Sequence, residues 1–233
     1  MATPKIIFYT NPTCPWAHRG YIALKELGLP YEEVVIDLDT PREPWYLKVN
    51  PRGLVPAISY NGEIIVESGI VARFLADAHP SHLFPPSGPV DNALYRARVD
   101  FFVDAFFSKV FSHVMAGVRA ATAEERDQAA VALVEQLVKE IEPLLPEEGK
   151  GGPFFGGSEK LTLVEVLTGS FLLRLNSWSK PEYGLISANL PQLLEKVPRV
   201  KRWINATIQH ESVNFIYDEA VVGERTKKRF AKA

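Results

Sequence analysis

A break in pattern at residues 79–89 constrains this chain more than any other feature. The segment His79-Pro80-Ser81-His82-Leu83-Phe84-Pro85-Pro86-Ser87-Gly88-Pro89 carries four prolines in eleven residues. Proline lacks the backbone N–H and clashes with the preceding turn, so no helix runs through it. Upstream, short β-branched runs alternate with helical stretches. The pattern predicts strands over 5–9, 31–36, 57–60 and 63–66, helices over 15–27 and 69–78, and a short helical segment near Trp45. Asn61-Gly62, between the last two strands, is a strong two-residue hairpin signal. Downstream, strand alternation is absent, and apolar residues fall at helical spacing over 92–117, 123–145, 162–175 and 199–210. The expected architecture is α/β plus all-α: a small mixed sheet with helices on its faces over 1–78, a linker over 79–89, and an all-helical domain over 90–233.

Composition narrows the function classes. The chain has 233 residues, 46% hydrophobic and 23% charged, with a net charge of −2. That is the balance of an ordinary globular protein, and it gives no electrostatic case for nucleic acid or an anionic membrane as the main partner. A single cysteine forms no intrachain disulfide, and no charged-plus-apolar leader opens the sequence, so the expected location is the reducing cytoplasm. The apolar stretch 101–118 is interrupted by Asp104, Lys109 and His113, and reads as a buried amphipathic helix, not a membrane span. The histidines show no ligand spacing, so no metal is expected.

That one cysteine, Cys14, stands between the first strand and the first helix, directly before Pro15. Proline suits the first helical turn, where its missing N–H is no loss. The free amides and positive dipole end of a helix favour an anion, which is where a nucleophilic thiolate is stabilised. His18 lies one turn further on. It invites a Cys/His nucleophile–base pair, but nothing marks an orienting group or an oxyanion site, so a packing role is the better reading. Glu67-Ser68 opens the helix over 69–78. A hydroxyl and free amides there suit a carboxylate and the glutamate suits an ammonium, while a plain helix cap explains the same residues. Thr162-Leu163-Val164-Glu165 is a capping-box pattern. The basic run Arg225, Lys227, Lys228, Arg229 reads as a solvated end.

Three ordered segments carry a family resemblance: Cys14-Pro15-Trp16-Ala17-His18-Arg19, Asn50-Pro51-Arg52-Gly53-Leu54-Val55-Pro56-Ala57-Ile58, and Glu67-Ser68-Gly69-Ile70. Together with the element order they resemble the cysteine-type cytosolic glutathione transferases, most of all the omega class, over nearly the whole chain. The resemblance implies a thioredoxin-like domain followed by a helical bundle, with glutathione as co-substrate and no metal. It implies Cys14 as the catalytic residue and Trp16, Arg42, Val55, Pro56, Glu67 and Ser68 as glutathione-binding. A cis bond is implied at Pro56, so that the Val55 backbone pairs with the cysteinyl unit of glutathione. Omega members carry lysine where Arg42 stands, and their capping box ends in aspartate where this chain has Glu165. The helix holding Phe107, Phe111 and Val114, with Trp178, is expected to border a site for a small hydrophobic or glutathionylated second substrate. A homodimer is expected.

Ala17 occupies the position of a resolving cysteine, so the implied cycle is monothiol. Cys14 becomes glutathionylated, and a second glutathione releases the oxidised disulfide. The expected enzyme is therefore a glutathione-dependent thioltransferase or reductase, acting in deglutathionylation and dehydroascorbate reduction. The Cys-Pro-Trp-Ala-His-Arg string also resembles glutathionyl-hydroquinone reductases, and a β-etherase-like activity uses the same fold. A non-catalytic ligand-binding or channel-type relative is the alternative of another class.

Overall fold

The computed structural model describes residues 3–231. Its first part runs β1 (Ile6–Thr10), α1 (Pro15–Glu26), β2 (Glu32–Val35), α2 (Pro44–Val49), β3 (Ala57–Tyr60), β4 (Glu63–Val66) and α3 (Ser68–Ala78). The four strands form one mixed sheet in the order β2-β1-β3-β4, with β1 and β2 parallel and the other pairs antiparallel. Ile6, Phe8 and Thr10 alternate inward along β1, as a strand with one covered face requires. Asn61 and Gly62 both take positive φ, 52° and 97°, the backbone of a twisted two-residue hairpin turn. Gly20 lets α1 settle onto the sheet, since a Cβ there would lie 2.5 Å from the Phe8 ring.

Beyond the linker every element is helical. α4 (Val90–Ala105) passes through a π-helical turn, Phe106–Val110, into α5 (Phe111–Arg119). α6 (Ala123–Gln136) ends in a second π-helical turn, Leu137–Ile141. Then follow α7 (Leu163–Trp178), α8 (Leu190–Leu193), α9 (Pro198–Gln209), α10 (Glu211–Asn214) and α11 (Glu219–Phe230). The run Val90–Arg119 is long and apolar enough to cross a membrane by length and composition, with a mean hydropathy of 1.3. Here Val99, Phe102, Phe106, Val110 and Val114 face the bundle core, in a helix that packs on α6 and α7.

α7 is the central element: nearly all of it is buried, down to Thr168 and Ser170. Thr162 and Glu165 form the expected capping box at its start. Glu165 is fully buried and accepts hydrogen bonds from the amides of Thr162 (2.8 Å) and Phe155 (3.0 Å), the Thr162 hydroxyl (2.7 Å) and the Trp203 indole (2.7 Å). Burial raises its pKa while those four donors pull the other way. One hydrophobic core runs from Ile6 and Phe8 on the sheet, through α1 and α3, into Phe171 and Trp203 of the bundle. A smaller cluster under the other face holds Ala17, Ile36, Tyr46 and Val55.

Candidate active site

Cys14 is the N-cap of α1, half-buried, with its amide on the Asn11 carbonyl at 3.0 Å. The turn before it is built locally. The Asn11 carboxamide oxygen accepts from the Thr13 amide (3.0 Å) and hydroxyl (2.7 Å), and its nitrogen donates to the Ile36 carbonyl (3.0 Å). The turn is also held from far away in sequence. Arg174 of α7 donates to the Thr13 carbonyl at 2.8 Å, and Ser170 donates to the Pro15 carbonyl at 2.8 Å. Arg19 reaches back, donating from Nε to the Leu167 carbonyl at 2.8 Å and from Nη1 to the Ser68 hydroxyl at 3.0 Å. The bundle therefore clamps the cysteine turn through α7.

Arg19 and Arg174 are almost fully buried, and no carboxylate pairs with either among the described residues. Burial pushes their pKa values down to about 9 and about 10, opposed in both by charge at Cys14.

The remaining family positions converge. Trp16, Arg42, Val55, Pro56, Glu67 and Ser68 line the same cleft as Cys14, a space of about 1540 Å³. The Val55–Pro56 bond is cis. Tyr46 and Asn50 hold the adjacent Leu54 carbonyl at 2.6 and 2.8 Å, while no hydrogen bond among the described residues engages the Val55 amide or carbonyl. A backbone so left is open to a peptide strand. Glu67 takes φ 71°, uncommon for a non-glycine residue, and its carboxylate pairs with Arg52. Because Arg19 donates to the Ser68 oxygen, the Ser68 hydrogen is left to donate to a ligand. Arg42 staples the cleft wall, donating to the Gly53 (2.9 Å), Asp37 (2.6 Å) and Thr40 (2.6 Å) carbonyls.

The remaining expectations each find a place in the structure. Val114 and Trp178 lie in the core, 5% and 7% exposed, and do not line the cleft. Phe107 and Phe111 pack with Phe171 against Trp16, at centroid distances of 5.5, 6.5 and 4.8 Å, and Trp16 is the member of this aromatic group that lines the cysteine cleft. Helical spacing marks an apolar stripe but not which neighbour covers it. His18 is fully buried, stacked 6.3 Å from Tyr217, and burial with the Arg174 charge pushes its pKa down to about 3. It packs the helix and is no base for Cys14. The basic run belongs to α11: Lys228 and Arg229 are exposed, as a solvated end would be, and with Arg225 they also line one wall of the cleft. Charge runs in sequence do not say what a helix docks against. Arg174 was likewise hidden, because α7 reads as an apolar core helix.

Fold and site together define a thioredoxin-like sheet joined to a helical bundle, with a single cysteine facing the cleft between them. Residues 13–78 match the family model for the glutathione S-transferase N-terminal domain. Omega-1 glutathione S-transferase of Rattus norvegicus is 30% identical over 213 residues, covering 90% of this chain and 78% of that protein. The crystal structure of glutathione transferase Omega 2C from Trametes versicolor superimposes with a TM-score of 0.79 at 30% identity, covering 97% of this chain and 99% of that one. A rice GST solved in complex with glutathione shares the fold, with a TM-score of 0.78 at 23% identity over 100% of this chain and 99% of that one. The chain belongs to the glutathione transferase family, and its likeness is to the omega class.

Proposed function

We propose that the protein is a glutathione-dependent thioltransferase that works through a Cys14–glutathione mixed disulfide. The observation that carries this reading is the cleft wall itself. It presents one thiol at a helix N-terminus, no second cysteine, an open Val55 backbone, and the Glu67–Ser68 helix start. The γ-glutamyl carboxylate of glutathione would take the Ser68 hydroxyl and the α3 amides, and its ammonium Glu67. The cysteinyl unit would pair with Val55, and the glycyl end would lie towards Arg42, with Trp16 beside the sulfur. Glutathione in the rice relative's complex supports it as co-substrate.

The Cys14 thiolate attacks the glutathionyl sulfur of a mixed disulfide R–S–S–G. The Cys14–S–S–G bond forms, the substrate S–S bond breaks, and its electron pair leaves on R–S⁻, which takes a proton from water. A second glutathione thiolate then attacks the glutathionyl sulfur, giving oxidised glutathione and restoring the Cys14 thiolate. Dehydroascorbate reduction belongs to the same reading, as do a homodimer and a reducing compartment such as the cytoplasm.

Cys14→Ser tests the reaction class. Thiol transfer should vanish, because an oxygen forms no mixed disulfide. The serine hydroxyl at the helix start should leave conjugation of an aryl halide intact or raised. A wild type that conjugates aryl halides briskly and transfers no thiol overturns the reading.

A further inference from the structure

α11 is firmly docked on the bundle. Val222 and Gly223 are buried, and Gly223 is required because a Cβ there would lie 2.3 Å from the Tyr183 ring. Glu219 pairs with Lys180 at 2.5 Å. The opposite face of the helix, with Val221, Glu224, Arg225 and Lys228 at helical spacing, looks into the Cys14 cleft, joined by Arg229. Arg225 spans the cleft mouth to Asp39 through two hydrogen bonds of 2.7 and 2.6 Å.

The charges lining the cleft do not cancel. Its carboxylates already have cationic partners: Asp39 has Arg225, Glu67 has Arg52, and Glu224 has Lys227. Lys228 and Arg229 are exposed, and no acidic group pairs with them among the described residues. This positive wall stands in a chain whose net charge is −2, so it is local and not a reflection of overall composition. The volume, about 1540 Å³, exceeds the roughly 300–1,000 Å³ usual for one small ligand. The glutathione positions all come from the sheet half, which leaves the α11 side for whatever arrives bonded to glutathione.

Resting on the thioltransferase reading, we propose that α11 selects second substrates that are anionic: mixed disulfides of glutathione whose other half carries carboxylate or phosphate groups close to the disulfide sulfur. Lys228 and Arg229 attract that half and hold it beside Cys14, and they favour the thiolate R–S⁻ as it leaves.

The test uses two pairs of glutathione mixed disulfides. One pair is a short cysteine peptide flanked by glutamates or by lysines; the other is mercaptosuccinate or cysteamine. At low ionic strength kcat/KM should favour the acidic member by at least about tenfold, and the gap should shrink as salt screens it. A gap in the peptide pair alone identifies polypeptide substrates; a gap in both admits small acids. The double variant Lys228→Glu, Arg229→Glu should invert the acid-to-base ratio. Equal kcat/KM within both pairs, or a ratio unmoved by the double variant, overturns the proposal. If no disulfide turns over, the thioltransferase reading falls. The charge selection is then read from binding of non-cleavable S-alkyl glutathiones bearing an acid or an amine, where equal affinity overturns it.

Discussion

At the scale of single residues, two side chains carry predictions. The Ser68 oxygen accepts a hydrogen bond from Arg19 at 3.0 Å, which leaves its own hydrogen to donate to a carboxylate. Ser68→Ala removes a charge-assisted hydrogen bond, a loss of roughly 1.5–3 kcal/mol. The KM for glutathione should rise about tenfold or more, with a smaller change in kcat; an unchanged KM makes the residue only a helix cap. His18 gives a pH signature. Its pKa is about 3 when folded, against 6.5 for an ordinary histidine. Between those values the unfolded chain binds the extra proton, so stability falls as pH drops through 6.5 towards 3. From pH 6.5 to 5 the loss should reach about 2 kcal/mol. In His18→Gln that share of the acid-side slope should disappear from urea melts run across the same range.

At the scale of elements, α7 decides more than its own packing. Its N-terminus depends on Glu165, the hub of four donors, and Glu165→Ala leaves them buried without a partner. The cost should be on the order of 3 kcal/mol. For a chain of this size, Tm should fall by roughly 6–12 °C, a drop that a calorimetric scan resolves. Glu165→Gln keeps the shape and part of the bonding, and should lose less. The same helix supplies Arg174, Ser170 and the Leu167 carbonyl to the cysteine turn. A shift of α7 is therefore also a shift of the site.

At the scale of the whole molecule, the division at residues 79–89 is one of architecture and not of independence. The hydrophobic core passes from the sheet into the bundle without interruption, and α1 and α3 both pack on α7. A fragment of residues 1–89 would expose that face and lose every α7 contact to the Cys14 turn. It should show no cooperative thermal transition by circular dichroism, whereas a sharp melt would mean that the sheet half folds alone. The intact protein, incubated with oxidised glutathione, should gain one reversible glutathione at Cys14 by intact-mass measurement. A protein that binds glutathione and stays unmodified would fit the ligand-carrier class instead.

Local physics made much of this legible. Asn61-Gly62 demanded a hairpin, and β3 and β4 occupy the expected residues. Pro15 opened α1, and the Thr162–Glu165 capping box opened α7. These are short-range effects, written in adjacent dihedrals and caps. The contacts at long sequence separation were not legible. Arg174 reaches Thr13 across 161 residues, Arg225 reaches Asp39 across 186, and Trp16 packs on Phe107 and Phe111 from the other half of the chain. Periodicity records that a face is apolar or charged, but only the packed chain decides what that face meets. So the sequence by itself determined the lone cysteine and the helix it caps, while the tertiary structure alone placed the buried arginines around its turn and the basic helix across the cleft.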